Sequence, residues 1–194
     1  AAIHNHAGPA LGATLESPAT PEEDLELFLR RAATAVERAV ERLRPARLGL
    51  GSLREERVSF NRRLKCTDGW TRMNWERVDP ALVERPWSGT DPELQVLVVR
   101  EDGRLFGTLV NFALHPAVLA GDNWQYSADF PGALAECLGR IETVCGADPS
   151  FVAAYVNGCC GNVNHIDYTD PLQGRGFKTV QGIGSLLAVA AHEA

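Results

Sequence analysis

The step Asp102-Gly103, set between the apolar runs Leu94–Val99 and Leu105–Ala113, most constrains how this chain can fold. Asp-Gly tolerates the positive φ angles of a tight turn, so two apolar runs joined through Glu101-Asp102-Gly103-Arg104 predict a β-hairpin. Helical patterns surround it. After Pro21, the carboxylates of Glu22, Glu23 and Asp24 suit the positive end of a helix dipole. Leu25, Phe28, Leu29, Ala32, Val36, Val40 and Leu43 then repeat at helical spacing until Pro45. A second helix is expected through about Glu142, with Asp129 as its N-cap and Pro131 in its first turn. Phe151–Val156 reads as a buried strand and Phe177–Glu193 as a last helix. Two short strands are expected near 46–51 and 57–60. The stretch 66–92 reads as a long loop pinned by Trp70, Trp75 and Trp87, a second reading being a lid over substrate. Residues 10–20 and 157–170 are further loops. Strands alternating with helices around one hairpin predict an α/β fold, a mixed β-sheet flanked by helices.

Composition narrows the function. The chain has 194 residues and a formal charge of -6, which argues against a nucleic-acid partner. No apolar run approaches the roughly 20 residues of a membrane-spanning helix. The length suits one domain. Its start without methionine at a strand-like edge, and its stop inside an amphipathic helix, predict a domain truncated at both ends. Five cysteines follow no zinc-ribbon or redox spacing. Cys137 is expected in the core, and His192 in solvent near the end of the last helix.

Chemistry gathers at three strand ends. His4-Asn5-His6 places two imidazoles two residues apart, on one side of an extended segment that Gly8-Pro9 then turns. His115 follows the apolar run Leu109–Leu114 and precedes Pro116. The strand Phe151–Val156 leads into Asn157-Gly158-Cys159-Cys160-Gly161-Asn162-Val163-Asn164-His165-Ile166-Asp167. Ligand sites of open α/β sheets lie at the carboxyl ends of strands, and imidazole is a common zinc ligand. A metal-dependent active site at these strand ends is the expectation. His165 and Asp167 are read either as extra ligands or an acid/base pair, or as groups that satisfy turn backbone. Asp129 is read as a helix cap in preference to a ligand.

The islands IHNHAGP, FNRR (Phe60–Arg63), NFALHP with YSADFPG, and NGCCGNVNHID, in this order, resemble the N-terminal domain of the neutral/alkaline, non-lysosomal ceramidases. The resemblance implies a zinc-dependent amidohydrolase acting on a ceramide-like lipid or a related N-acyl amide, secreted or periplasmic. It implies Zn2+ on His4 and His115, His6 as an acid/base group beside them, and Arg62 orienting substrate or stabilising charge on the carbonyl oxygen. The family's remaining zinc ligands, a Glu and a Tyr, fall beyond residue 194. Its active-site serine aligns with Asn164, and the preceding Asp with Asn162. Asn has no hydroxyl nucleophile but can donate to an oxyanion. A ceramidase-like domain that binds ligand without catalysis, or a hydrolase of another ester or amide, are therefore the alternatives.

Overall fold

The structure, a computed structural model, describes residues 3–9, 21–121, 123–170 and 173–194. It divides into two compact units, Gly8–Ala46 and the remainder. The smaller contains helix α1 (Glu22–Glu41), acidic in its first turn as the sequence predicts. Its Phe28, Leu29, Val36 and Val40 are exposed. The loop expected at 10–20 lies outside the described residues.

The larger unit is built on four strands: β1 (Arg47–Arg54), β6 (Glu93–Glu101), β7 (Arg104–Phe112) and β8 (Val152–Asn157). They hydrogen-bond in the order β1-β6-β7-β8. The first two pairings are antiparallel and β7–β8 is parallel, so the sheet is mixed. The hairpin forms where Asp-Gly predicts it. Asp102 (φ 47°) and Gly103 (φ 82°) turn the chain, and Glu101 pairs with Arg104.

Strand alternation divides the sheet's side chains between two faces. Leu94, Val96, Val110, Phe112 and Tyr155 face the main core with α2 (Asp129–Val144) and α3 (Phe177–Glu193). There Phe112, Phe130, Leu134, Leu138 and Leu187 are wholly buried, each contributing roughly 1.5–3 kcal/mol of transfer free energy. Phe130 meets Tyr155 edge-on at 5.3 Å between centroids, a favoured aromatic geometry. Cys137 packs against this core as expected. The opposite face carries Leu48, Leu50, Leu97, Leu109 and Ala154 in cross-strand register. Leu48 and Leu50 are 68% and 85% exposed, so that face is open.

Residues 66–92 depart from the expected loop. There β4 (Thr71–Met73) and β5 (Val83–Pro86) pair with β3 (Arg63–Cys66), which runs into the stretch at Cys66, as a second sheet in the order β4-β3-β5. Its core is Leu64, Cys66 and Val78, with Val83 and Tyr168 against them. Short strands with irregular register leave little periodicity to read. The tryptophans are not common anchors: Trp70 is exposed, and Trp87 Nε1 donates to Thr71 Oγ1 at 2.9 Å. A two-residue pair, β2 (Phe60–Asn61) with β9 (Val163–Asn164), joins the Arg62 segment to the loop after β8.

Asp129 and His192 take roles other than those expected. Asp129 opens α2 from inside the helix, with Ala128 at the cap position. Its φ is 53° and its buried carboxylate accepts from Leu119 N at 2.9 Å and Phe130 N at 2.6 Å. It ties the segment after His115 to the helix start. His192 is not simply solvated, because its Nδ1 lies 2.8 Å from Oε1 of the buried Glu142, joining α3 to α2.

Candidate metal centre

Parallel pairing sets the centre's geometry. Phe112 at the end of β7 lies opposite Asn157 at the end of β8. His115 and Cys160 therefore leave their strands in step, and His115 Nδ1 comes 3.1 Å from the Cys160 carbonyl. The turn can pass this close because residue 158 is glycine: a Cβ there would lie 3.1 Å from Ala113 N. Gly158 N donates to Phe112 O at 2.9 Å and secures the same corner.

The His4-Asn5-His6 segment is not a strand, unlike the sequence reading. Its backbone and Asn5 hold it instead. Asn5 Nδ2 donates to Ser127 O, and Asn5 Oδ1 accepts from Ala7 N, both at 2.7 Å. Ser127 N donates to Ala7 O at 3.0 Å, and His6 N to Pro116 O at 3.2 Å. The last bond lays His6 beside the residue that follows His115.

The three imidazoles meet. Ring centroids are 4.5 Å apart for His4–His115, 5.0 Å for His6–His115 and 5.1 Å for His4–His6. The rings are tilted, not stacked, and His6 Nε2 is 2.9 Å from His115 Nε2. One nitrogen from each lies within 4.8 Å of the others, so the three could hold a metal ion. Among the described residues they form the one such His, Cys or acidic cluster. Burial, then the neighbouring His4 and Arg62, holds His6 below the usual histidine range. Burial does the same for His115, with His4, His6 and Arg62 adding to it and the Cys160 carbonyl opposing. Neutral imidazole is the metal-binding form, so this donor set fits a borderline ion such as zinc.

Arg62 stands next to this cluster. Its backbone is pinned on both sides: N donates to Asn162 O and O accepts from Asn74 N, each at 2.9 Å. The guanidinium lies over the Trp75 ring, 5.6 Å from its centroid, and its Nε is buried without a hydrogen-bond partner. Trp75 in turn lines a cavity of about 1000 Å³ shared with Arg77, Tyr168, Asp170 and Arg175.

The other expected site residues are occupied elsewhere. Asn164 exchanges two amide hydrogen bonds with Asn74, at 2.7 and 2.8 Å, and its Oδ1 also accepts from Ile166 N. Asp167 Oδ1 accepts from Thr169 N and Oγ1, the turn role weighed for it in the sequence. His165 is buried, and neither ring nitrogen has a hydrogen-bond partner. Neither residue belongs to the three-imidazole cluster. Asn74, Trp75 and the Cys160 carbonyl carry no sequence signal as site groups. Only the β7–β8 register and the β2–β9 pair bring them in.

No protein-family model and no curated protein matches this chain. Solved structures do. A neutral ceramidase from Pseudomonas aeruginosa superposes with a TM-score of 0.76 at 24% identity, over 100% of this chain and 30% of that one. A ceramidase complexed with C2 gives 0.68 at 23% identity, over 89% of this chain and 26% of that one. The chain thus spans less than a third of either protein. The expected resemblance holds at the level of fold.

Proposed function

We propose that this chain carries part of the metal site of a zinc-dependent hydrolase that cleaves an N-acyl amide, with a ceramide-like lipid or a related amide as substrate. The observation that carries the reading is the convergence of His4, His6 and His115 beside Arg62, at strand ends of a fold shared with ceramidase structures. The resemblance gives the metal to His4 and His115 and sets His6 beside it as an acid/base group. Zinc bound there would supply an activated water at neutral pH and polarise the amide carbonyl. Arg62 is held by two backbone hydrogen bonds, and its guanidinium Nε has no hydrogen-bond partner. It is suited to bind the carbonyl oxygen as negative charge grows on it. Trp75 orients that guanidinium from one side.

Asn164 favours a second reading. Its amide is engaged with Asn74 and Ile166, so nothing at that position can attack a carbonyl. A serine-centred route is therefore closed there, and a ceramidase-like domain that binds an amide or ester ligand without turnover fits the same geometry.

One assay separates the two readings. The zinc-loaded chain is incubated with a ceramide and with short N-acyl amides, and the released amine is quantified. Hydrolysis that Arg62→Ala lowers by about 100-fold in kcat, the usual cost of losing an oxyanion donor, supports the enzyme. Saturable binding with no amine released supports the binding domain.

A further inference from the structure

We infer that the cavity lined by Trp75 receives a neutral polyhydroxyl group, a pyranose or a similar polyol, carried on the amide substrate. This rests on the amide-hydrolase reading above and narrows its substrate to an N-acyl amide with a sugar-type headgroup.

Residues 74–80 wall the cavity on one side, and residues 166–170 with 173–175 on the other. Internal bonds hold both walls. Asn74 Nδ2 donates to Asn164 Oδ1 at 2.7 Å and to Ile166 O at 2.6 Å, which ties one wall to the other. The Gln173 side-chain amide accepts from Asp167 N and donates to His165 O, closing the second wall on itself. Asp79 caps the short turn Pro80–Leu82 through Ala81 N at 2.9 Å. Val78 packs in one core with Leu64 and Cys66, and Tyr168 lies against it. A cavity walled in this way is preformed, so a ligand entering it has little ordering to overcome. Its volume of about 1000 Å³ has room for a headgroup.

The chemistry of the lining selects the ligand. It carries two arginines, Arg77 and Arg175, and three aspartates, Asp79, Asp167 and Asp170. An acyl chain there would strip water from these charges and put nothing in its place. A phosphate or carboxylate would face the aspartates, and an ammonium group the arginines. A polyol suits both signs, because each hydroxyl donates once and accepts through two lone pairs. Arg77 and Arg175 are exposed and make no hydrogen bond among the described residues. Asp167 uses Oδ1 for Thr169, and its Oδ2 takes no hydrogen bond among the described residues. Donors and acceptors are thus both available. Trp75 and Tyr168 add aromatic rings, against which the C–H side of a sugar can pack. The Arg62 guanidinium lies 5.6 Å from the centre of the Trp75 ring. A headgroup in the cavity is therefore one aromatic ring away from the group proposed to bind the amide carbonyl. One molecule can fill both places.

The test uses the 194-residue chain, first without metal. Methyl β-D-glucopyranoside is titrated in and followed by ¹H–¹⁵N correlation spectra. Saturable shifts are expected at residues 74–80, 166–170 and 173–175. The double variant Arg77→Ala/Arg175→Ala should weaken this binding by about tenfold or more, the loss expected for charge-assisted hydrogen bonds. Its spectrum outside the cavity checks that it is folded. No shift at these residues, or tighter binding of inorganic phosphate or tetramethylammonium, overturns the inference. In a second arm the zinc-loaded chain is given a short-chain N-acyl amide with and without a glucosyl group, and released amine is quantified. A kcat/KM about tenfold higher for the glucosylated amide, reduced to parity in the double variant, supports the inference. Sugar binding with equal turnover of the two amides assigns the cavity to free sugar and overturns the substrate claim alone. Hydrolysis of neither amide overturns the hydrolase reading, and the sugar titration then decides the cavity by itself.

Discussion

A single buried histidine shows how closely this fold trades polarity against stability. His165 sits one residue past β9 with both ring nitrogens unpartnered and only 1% of its surface exposed. Burial, helped by Arg175 and partly opposed by the Gly174 backbone, pushes it down to about 4 from the usual 6.5. The sign follows from proton counts: between those values the unfolded chain binds a proton that the native chain refuses. Native stability should therefore be unaffected by this group above pH 6.5, fall as the pH drops toward 4, and level off below. The full loss is about 3 kcal/mol, 2.5 pH units at 1.36 kcal/mol each. His165→Leu keeps the volume and removes the titration. Urea unfolding at pH 4.5 and pH 7.5 should show a smaller stability difference in the variant than in the wild type. An unchanged difference would place the pH sensitivity in other groups, of which His6 and His115, also held low by burial, come first.

The two helices under the sheet depend on a close approach. A Cβ on Gly184 of α3 would lie 2.5 Å from Ala133 Cβ and 2.7 Å from Leu134 N of α2. Gly184→Ala should gain about 1 kcal/mol in helix propensity and lose about 1–3 kcal/mol to overpacking. A lowered melting temperature is expected, and a raised one would mean that the helices separate at little cost. Elements of this kind were legible from sequence because periodicity survives in long segments: α1, α2, α3 and the β6–β7 hairpin form where their patterns predict. The sheet of β3, β4 and β5 was not, since strands of three or four residues carry too few alternations to register. The same limit applies to the site. His4, His6, His115 and Arg62 were readable as residue types in ordered islands. The tautomer-setting Cys160 carbonyl is a backbone group placed by strand register, and Asn74 reaches Asn164 across 90 residues. No local pattern encodes either one.

Among the described residues of the larger unit, α2 and α3 pack on one face of the sheet. On the other face, Leu48 is exposed, and Leu50 lines a depression of about 500 Å³ with Leu97 and Leu109. Exposed apolar surface of this sort promotes self-association. Leu50→Lys should lower the chain's association in sedimentation and its binding of an apolar dye, while shifting unfolding by no more than about 0.5 kcal/mol, as for other surface changes. Unaltered dye binding would locate the sticky surface elsewhere. The histidine cluster has a different long-range consequence. His4 and His115 stand far apart in the sequence, so an ion held between them would act as a cross-link closing much of the folded core into one loop. It would bind the native arrangement and find no preformed site in the unfolded chain. By mass action, free metal at about 100 times its dissociation constant would add roughly 2.7 kcal/mol to folding. Metal supply would then govern how long the chain stays folded as well as what it can catalyse.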